Sequence, residues 1–477
     1  MATRPNLVTF SNSSVDVLNA IRNSASQDYR NYVPIATEDA EVIRSIGTTI
    51  MDYPELQNEF LRALVNRIAR VMIRTAMFEN PWQMFKRGRM DFGETIEEVY
   101  VNLCDVHQYD PATAEVKVFA REIPDVRSAF HVLNYQKFYK SSIEEKNLDR
   151  AFNSIDGVNE LIRKIVAVMV TSAAYDEFIT MKFMLQYRMC IGAMYPVHVT
   201  PESQTVSHAD ATKASAEAFK AMSNKLTFLS PDFNLAGVYN ATKKDNQYII
   251  IDADFDAAMD VQVLATAFNM DKAEFIGHRV LVDSFNKCDI NRLNALFDDD
   301  NDPASYDPNF VAMKTAMGVQ NDGTIARLQN VKAAIVDGEF WQVYDTMDVT
   351  NSLINPEGLY TNYWYHVAKV FSVSPFANAI AFTTDTPTIT SVSVTPATAT
   401  VTKSATADVT LQLTATTVAT GITPRGVVWS IPTTTGVSIN QNGVLTVTPS
   451  ASTGTVTVTA TSIFDSTKKG TATITIA

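Results

Sequence analysis

The chain has 477 residues, 46% hydrophobic and 19% charged, which excludes disorder and implies about two to four domains. Its formal net charge is −13, which argues against a protein that grips nucleic acid, since phosphate binding needs clustered Lys and Arg. Residues 1–46 are polar at first and read as an arm that needs a partner surface. The opening "MATRPNLVTFSNSS" has no apolar leader run. Leu56, Phe60, Leu64 and Ile68 then recur at helical spacing after Pro54, predicting an amphipathic helix over about 55–78.

From Trp82 to about Ser142 the pattern alternates, with Val99, Val101 and Leu103 on one face. Long strands with a Gly-containing tip are expected, too elongated to bury both faces on their own body. The longest helix is predicted over about 156–189, with Val158, Leu161, Ile162, Ile165, Val168 and Met169 as its buried stripe. Its most apolar run, from Leu161, is interrupted by Arg163, Lys164, Asp176 and Glu177 and is too short and charged to span a bilayer. Residues 193–345 read as an α/β domain. "YIIIDADFD" and "HRVLVDSF" are its strands, "AAMDVQVLATAFNM" is a helix, and 286–329 is a long irregular insertion. Strand patterning returns through Phe382.

After "TTDTPT" the composition shifts. Residues 388–477 hold only Lys403, Asp408, Arg425, Asp465, Lys468 and Lys469 as charged groups, a net of +2, which leaves −15 on the rest of a chain whose total is −13. Short period-two segments separated by turn residues predict a small β-sandwich, with Asn442-Gly443 as a two-residue hairpin and Trp429 in the core.

Candidate chemistry is thin. "FDDDND" suits calcium only loosely, because Pro303 stands where a calcium loop needs glycine, and a solvated acidic loop is expected. Asp252, Asp254 and Asp256 in "DADFD" could serve a metal-dependent hydrolase, but read more simply as a strand end and helix cap. The histidines show no metal-ligand spacing, and no nucleophile elbow or phosphate loop occurs, so neither an active site nor a cofactor is expected. Cys104, Cys190 and Cys288 read as reduced thiols used as small buried hydrophobes.

"VVWSIPTTTGVSINQNGVLTVTPSASTGTVTVTATS" resembles the bacterial immunoglobulin-like group 2 module. Earlier runs resemble the major capsid protein of small short-tailed phages with protein-primed DNA replication. They include "VLNAIRNSASQDYRNYVPIAT", "KVFAREIPDVRSAFH", "IIDADFDAAMDVQVLATAFNMDKAEFIG" and "NPEGLYTNYWYHV". That resemblance implies an α+β tailed-phage capsid fold followed by the all-β module. It divides the chain into an N-terminal arm (1–46), a first peripheral part (47–79) and an extended loop (80–145). A spine helix (146–192), an axial domain with the insertion (193–345), return strands (346–385) and the immunoglobulin-like module (386–477) follow.

The resemblance also implies self-assembly into pentamers and hexamers of an icosahedral or prolate head, built in the host cytoplasm. The expected partners are a scaffolding protein, a portal at one vertex, double-stranded DNA packaged without sequence-specific binding, and a host-surface ligand for the module; no membrane partner is expected. Phe85, Lys86, Arg87 and Arg89 are nominated as an inter-subunit contact at the loop tip, their cations facing acidic patches on a neighbour. A bacterial surface adhesin is the weaker alternative.

Overall fold

The computed structural model describes residues 15–56 apart from 16, 17, 20, 24, 38, 39 and 54. It further describes 78–107 apart from 91 and 92, then 121–143, 155–261, 278–298, and 306–477 apart from 359. The helix expected over 55–78 lies almost wholly outside these residues, as does the tip between 107 and 121. Two units make up the chain. One is Met1–Phe78, Phe138–Ala173 and Val349–His366; the other is Glu79–Lys137, Ala174–Asp348 and Val367–Ala477.

In the first unit Ser26 accepts a hydrogen bond from the Tyr29 N–H and caps α1 (Gln27–Tyr32), and α2 (Ala40–Asp52) follows. Asn19 holds the connecting chain by pairing with both backbone groups of Ala36, at 2.9 and 2.8 Å. Ile21, Tyr29, Val33, Ile46, Ile50 and Leu56 close into a small apolar cluster. Part of the segment expected as an arm therefore holds a core of its own.

The second unit begins with β1 (Lys86–Arg89), β2 (Thr95–Val101), β3 (Val126–Val132) and β4 (Tyr135–Ile143), the last running on into the first unit. The long helix α3 spans Ile155–Cys190, one residue beyond the expectation at each end. Val168 is exposed rather than buried, while Met169 is buried as expected; the side chains of 158–165 lie outside the described ones. Beyond Ala173 the helix is enclosed on nearly every side, so its polar residues need partners. Asp176 accepts two hydrogen bonds from Arg292, at 2.7 and 2.8 Å. Lys182 pairs with Asp283, and Gln186 donates to the carbonyls of Phe285 and Lys287.

A five-stranded mixed sheet runs in the order β5 (Tyr195–His198), β11 (Ala379–Thr383), β8 (Val331–Asp337), β6 (Gln247–Asp252), β7 (His278–Val282). Helix α4 (His208–Lys225) places Phe219 and Met222 on Ile249, Ile251, Ile335 and Phe382 of that sheet. Asp252 ends β6 and caps α5 (Ala253–Met259) by accepting from the Asp254 N–H. The described part of the insertion is not irregular, and the acidic run expected as a solvated loop lies mostly outside the described residues. Asp289 caps α6 (Ile290–Phe297), and Asp307 with Pro308 opens α7 (Pro308–Met317), which Gly318 ends in the left-handed region. Both pack on α3, through Asp176–Arg292 and through Phe183 on Phe310. A second sheet has the order β1, β9 (Trp341–Asn355), β10 (Tyr360–Val373), β4.

Past residue 388 the chain is all β, with strands β12 (Ile389–Thr395) to β20 (Lys469–Ile476). Its sheets contribute to one cluster that includes Trp429, Leu445, Val447, Val458 and Ile474. The Asn442-Gly443 turn joins β17 (Val437–Ile439) to β18 (Val444–Val447), but over Asn440–Gly443 rather than two residues. Asn440 lengthens it by accepting from the N–H groups of Asn442 and Val444. At Gly443 φ is +77°, and an added Cβ would lie 2.4 Å from the Leu413 carbonyl oxygen and 3.1 Å from the Trp429 ring. Gly443→Ala is therefore expected to destabilise this module by about 1–3 kcal/mol, from strained backbone and the clash together. Calorimetry should show the module's transition lowered and the others unmoved.

Candidate assembly surface

Strands β2 and β3 form an antiparallel hairpin whose register sets Thr95 opposite Val132, Glu97 opposite Phe130 and Val101 opposite Val126. Alternation then sorts the side chains into two faces. The inner face is tied to the chain's own body. Tyr100 stacks on Phe376 at 5.4 Å between ring centroids and donates its hydroxyl to the Tyr239 carbonyl at 2.6 Å. Burial raises the Tyr100 pKa, which keeps that hydroxyl a donor. Arg127 donates to the Ala236 carbonyl and pairs with Asp125, whose pKa is lowered by the hydrogen bonds from Arg127 and Asn102.

At the root, His131 is 2% exposed. Its Nε2 lies 3.0 Å from Glu98 and its Nδ1 2.7 Å from the Ser372 hydroxyl, while Ser374 donates to the other Glu98 oxygen. Asn134 pairs with both backbone groups of Phe371, at 2.7 and 2.9 Å.

The outer face has no such cover. Val99, Val101, Phe130 and Val132 are half or more exposed, Val101 and Phe130 both at 62%. Leu103 extends the stripe, and Val106 and Ile123 stand 95% and 93% exposed where the described hairpin ends. Taking the five side chains Val99, Val101, Leu103, Phe130 and Val132 to full burial would supply on the order of 5 kcal/mol per hairpin, at roughly 1 kcal/mol each.

The nominated tip residues lie elsewhere. The segment "FKRGR" is not a hairpin tip: β1 pairs in parallel with β9, Lys86 opposite Val343 and Arg89 opposite Asp345. Phe85 is buried against Trp341 and Tyr248. Lys86 is paired within its own chain to Asp345 at 2.6 Å and Glu177 at 3.2 Å. Arg87 pairs with Glu339 at 3.0 Å, and Arg89 sits exposed at the end of the strand. Alternation alone cannot distinguish a strand edge from a loop tip when the partner strand is so distant in sequence. The exposed stripe was legible in part through Val99, Val101 and Leu103; its β3 half, Phe130 and Val132, was missed.

Trp429 is buried in the apolar cluster of the C-terminal module. That module is fixed to the body by Arg425, which donates to the Cys190 carbonyl at the end of α3 at 3.0 Å and to those of Ala419 and Gly421. Among the cysteines, Cys190 is buried, Cys288 intermediate and Cys104 exposed, so the buried role fits the first fully and the last not at all. Burial raises the Cys190 pKa to about 12, which keeps it an inert thiol. Among the described residues no cluster of His, Cys, Asp and Glu could hold a metal ion, and no helix is long and apolar enough to cross a membrane.

One face of the hairpin is thus pinned to the chain's own body, and the other exposes Val99, Val101, Phe130 and Val132 among Thr95, Glu97 and Ser128. The fold is that of a phage capsid. It matches the capsid structure of Staphylococcus phage Andhra with a TM-score of 0.51 at 13% identity, covering 67% of this chain and 88% of that one. The chain belongs to the Phi29-like phage major capsid protein family, whose model matches residues 18–383. It is 35% identical to the major capsid protein of Bacillus phage B103, over 91% of this chain and 87% of the relative, and 33% identical to that of Bacillus phage PZA, again over 91% and 87%. Coverage of 91% cannot be reached within residues 1–383, so the match to B103 runs on into the C-terminal module. This is a phage major capsid protein, and its place is the virion.

Proposed function

We propose that the chain closes into pentamers and hexamers by laying the outer face of its β2–β3 hairpin over a neighbouring copy. The observation that carries this is the apolar stripe of Val99, Val101, Leu103, Phe130 and Val132, exposed on a hairpin whose opposite face is already committed. Such a contact is heterologous, and rings and shells form where the rotation between copies closes. On this reading 80–145 is the extended loop, 193–345 the axial domain, and 47–79, 146–192 and 346–385 the peripheral domain, its spine being α3. Of the nominated tip residues Phe85, Lys86 and Arg87 are engaged within the chain, and an inter-subunit role is kept only for Arg89, exposed at the end of the edge strand β1. A scaffolding protein, a portal and packaged double-stranded DNA complete the assembly. The net charge of −13 suits a lining that does not grip the genome.

The C-terminal domain is, on the same reading, an immunoglobulin-like group 2 module displayed outside the shell, where it meets a host-surface ligand. Its strand succession, its core Trp429 and the turn at Gly443 support this. Electron microscopy and sedimentation of the chain co-expressed with its scaffold, full length and truncated after Thr384, test both statements. Closed shells from both, smoother after truncation, are expected. Monomers alone from the full-length chain would overturn the assembly mode, and an unaltered outer profile after truncation would overturn the external module.

A further inference from the structure

Beneath the hairpin root, the buried side chains of Asn80, Glu177 and Lys369 meet in one place. Glu177, on α3, bridges the other two. Its Oε1 accepts from the Asn80 amide nitrogen at 2.6 Å, and its Oε2 accepts from the Lys369 ammonium. The Asn80 amide is oriented from its other end, where Oδ1 accepts from the Trp82 backbone N–H at 2.8 Å. Trp82 and Phe178, close in sequence to Asn80 and Glu177, pack ring against ring, and Trp82 also packs on Phe85 and Trp341.

A second lysine sets the charge balance. Lys86 is held by Asp345 at 2.6 Å, and Lys369 reaches the same carboxylate at 3.1 Å. Burial alone would lower the Lys86 pKa, but Asp345 and Glu177 outweigh it and raise it. Lys86 and Asp345 therefore remain an ion pair. Lys369 also meets Glu177 directly, so a proton on its nitrogen has a carboxylate oxygen in contact to receive it.

We propose that Lys369 and Asn80 join in an intramolecular isopeptide bond, formed once per chain with Glu177 as the proton relay. The Lys369 nitrogen gives a proton to Glu177 and attacks Cγ of Asn80. Charge gathers on Oδ1, where the Trp82 N–H already donates. Glu177 passes that proton to Nδ2 and takes a second from the attached Lys369 nitrogen; the Cγ–Nδ2 bond breaks, ammonia leaves, and the new amide forms with Glu177 left protonated. One carbon–nitrogen bond replaces another, so neither oxidant nor activated co-reactant is needed. Asn80, Glu177 and Lys369 lie on three segments far apart in sequence, so the bond ties the chain entering β1 to β10 and closes a long loop covalently.

Mass spectrometry of the full chain, recovered from purified particles and denatured, tests this. The chain is expected to be lighter by one ammonia than its sequence requires. Trypsin should fail to cut at Lys369, and fragmentation should find the peptides of Asn80 and Lys369 joined. Glu177→Gln and Lys369→Arg should each restore the full sequence mass. The wild-type chain decides the matter even where a variant does not fold. A full-mass chain with separate Asn80 and Lys369 peptides overturns the proposal, as does an ammonia loss mapped to any other pair.

Discussion

Replacing Val101 and Phe130 together by aspartate is expected to give a folded, soluble chain that no longer closes into shells. Both side chains stand 62% exposed on the outer hairpin face, so neither change opens a buried cavity. The one local cost is the aspartate at 130 facing Glu97 across the strands, a few tenths of a kcal/mol to about 1 kcal/mol. The inner-face ties through Tyr100, His131 and Asn134 are untouched, so the hairpin stays where it is. In an assembled shell, however, each aspartate would be carried into an apolar contact, and burying an unpaired carboxylate costs several kcal/mol before its pKa yields. Because every copy contributes a hairpin, the penalty recurs at every contact. Thr457→Asp, on the exposed face of the C-terminal module, serves as the matched control and should assemble normally. Sedimentation and negative-stain microscopy read the result. Normal shells from the double variant would show that the stripe faces solvent in the particle, and the proposed overlay would fail.

The outward face of this hairpin was half legible, and the reason is local. Val99, Val101 and Leu103 alternate within one strand, and period two is visible in any window that contains it. Phe130 and Val132 join them only through the β2–β3 register, which the sequence does not print. The same distinction explains the misplaced tip. The segment from Phe85 to Arg89 has strand character, but its partner is β9, and only that long-range pairing turns a supposed tip into an interior edge. Local signals served well elsewhere: α3 was placed to within a residue at each end, and the Asp252 cap was identified from its neighbours. In the insertion the cap signals were present but were outweighed by polarity. Asp289, Asp307-Pro308 and Gly318 bracket helices of 8 and 10 residues, short enough to read as loop. Their stability comes from packing on α3 rather than from their own periodicity.

The C-terminal module stands out by composition, but its attachment does not. Arg425 is one of its few charged residues and reads as a surface cation, yet it donates to the last carbonyl of α3 and to two carbonyls of its own loop. Gly192, with φ +71°, lets the chain pass where a Cβ would lie 2.4 Å from the Cα of Pro424. The module is thus docked on the body at a defined place and is not tethered by a loose linker.

Arg292→Ala is expected to be strongly destabilising, costing about 3–5 kcal/mol. The Asp176 carboxylate has no exposed surface and takes two charge-assisted hydrogen bonds from the guanidinium, at 2.7 and 2.8 Å. Removing the cation takes both of these charge-assisted hydrogen bonds from a carboxylate that has no exposed surface of its own. The converse change is milder. In Asp176→Ala the guanidinium, whose side chain is 39% exposed, turns to solvent, and the loss is about 1.5–3 kcal/mol, that of the hydrogen bonds themselves. The order of the two variants is therefore the test, more than either magnitude. Urea unfolding followed by circular dichroism should place both midpoints below wild type, with Arg292→Ala the lower. Lysine at 292 should recover only part of the difference, since an ammonium cannot present the paired donors that Asp176 engages. Equal losses in the two alanine variants would mean that Asp176 is wetter than its surroundings indicate, and that the insertion is held to α3 chiefly by Phe183 on Phe310.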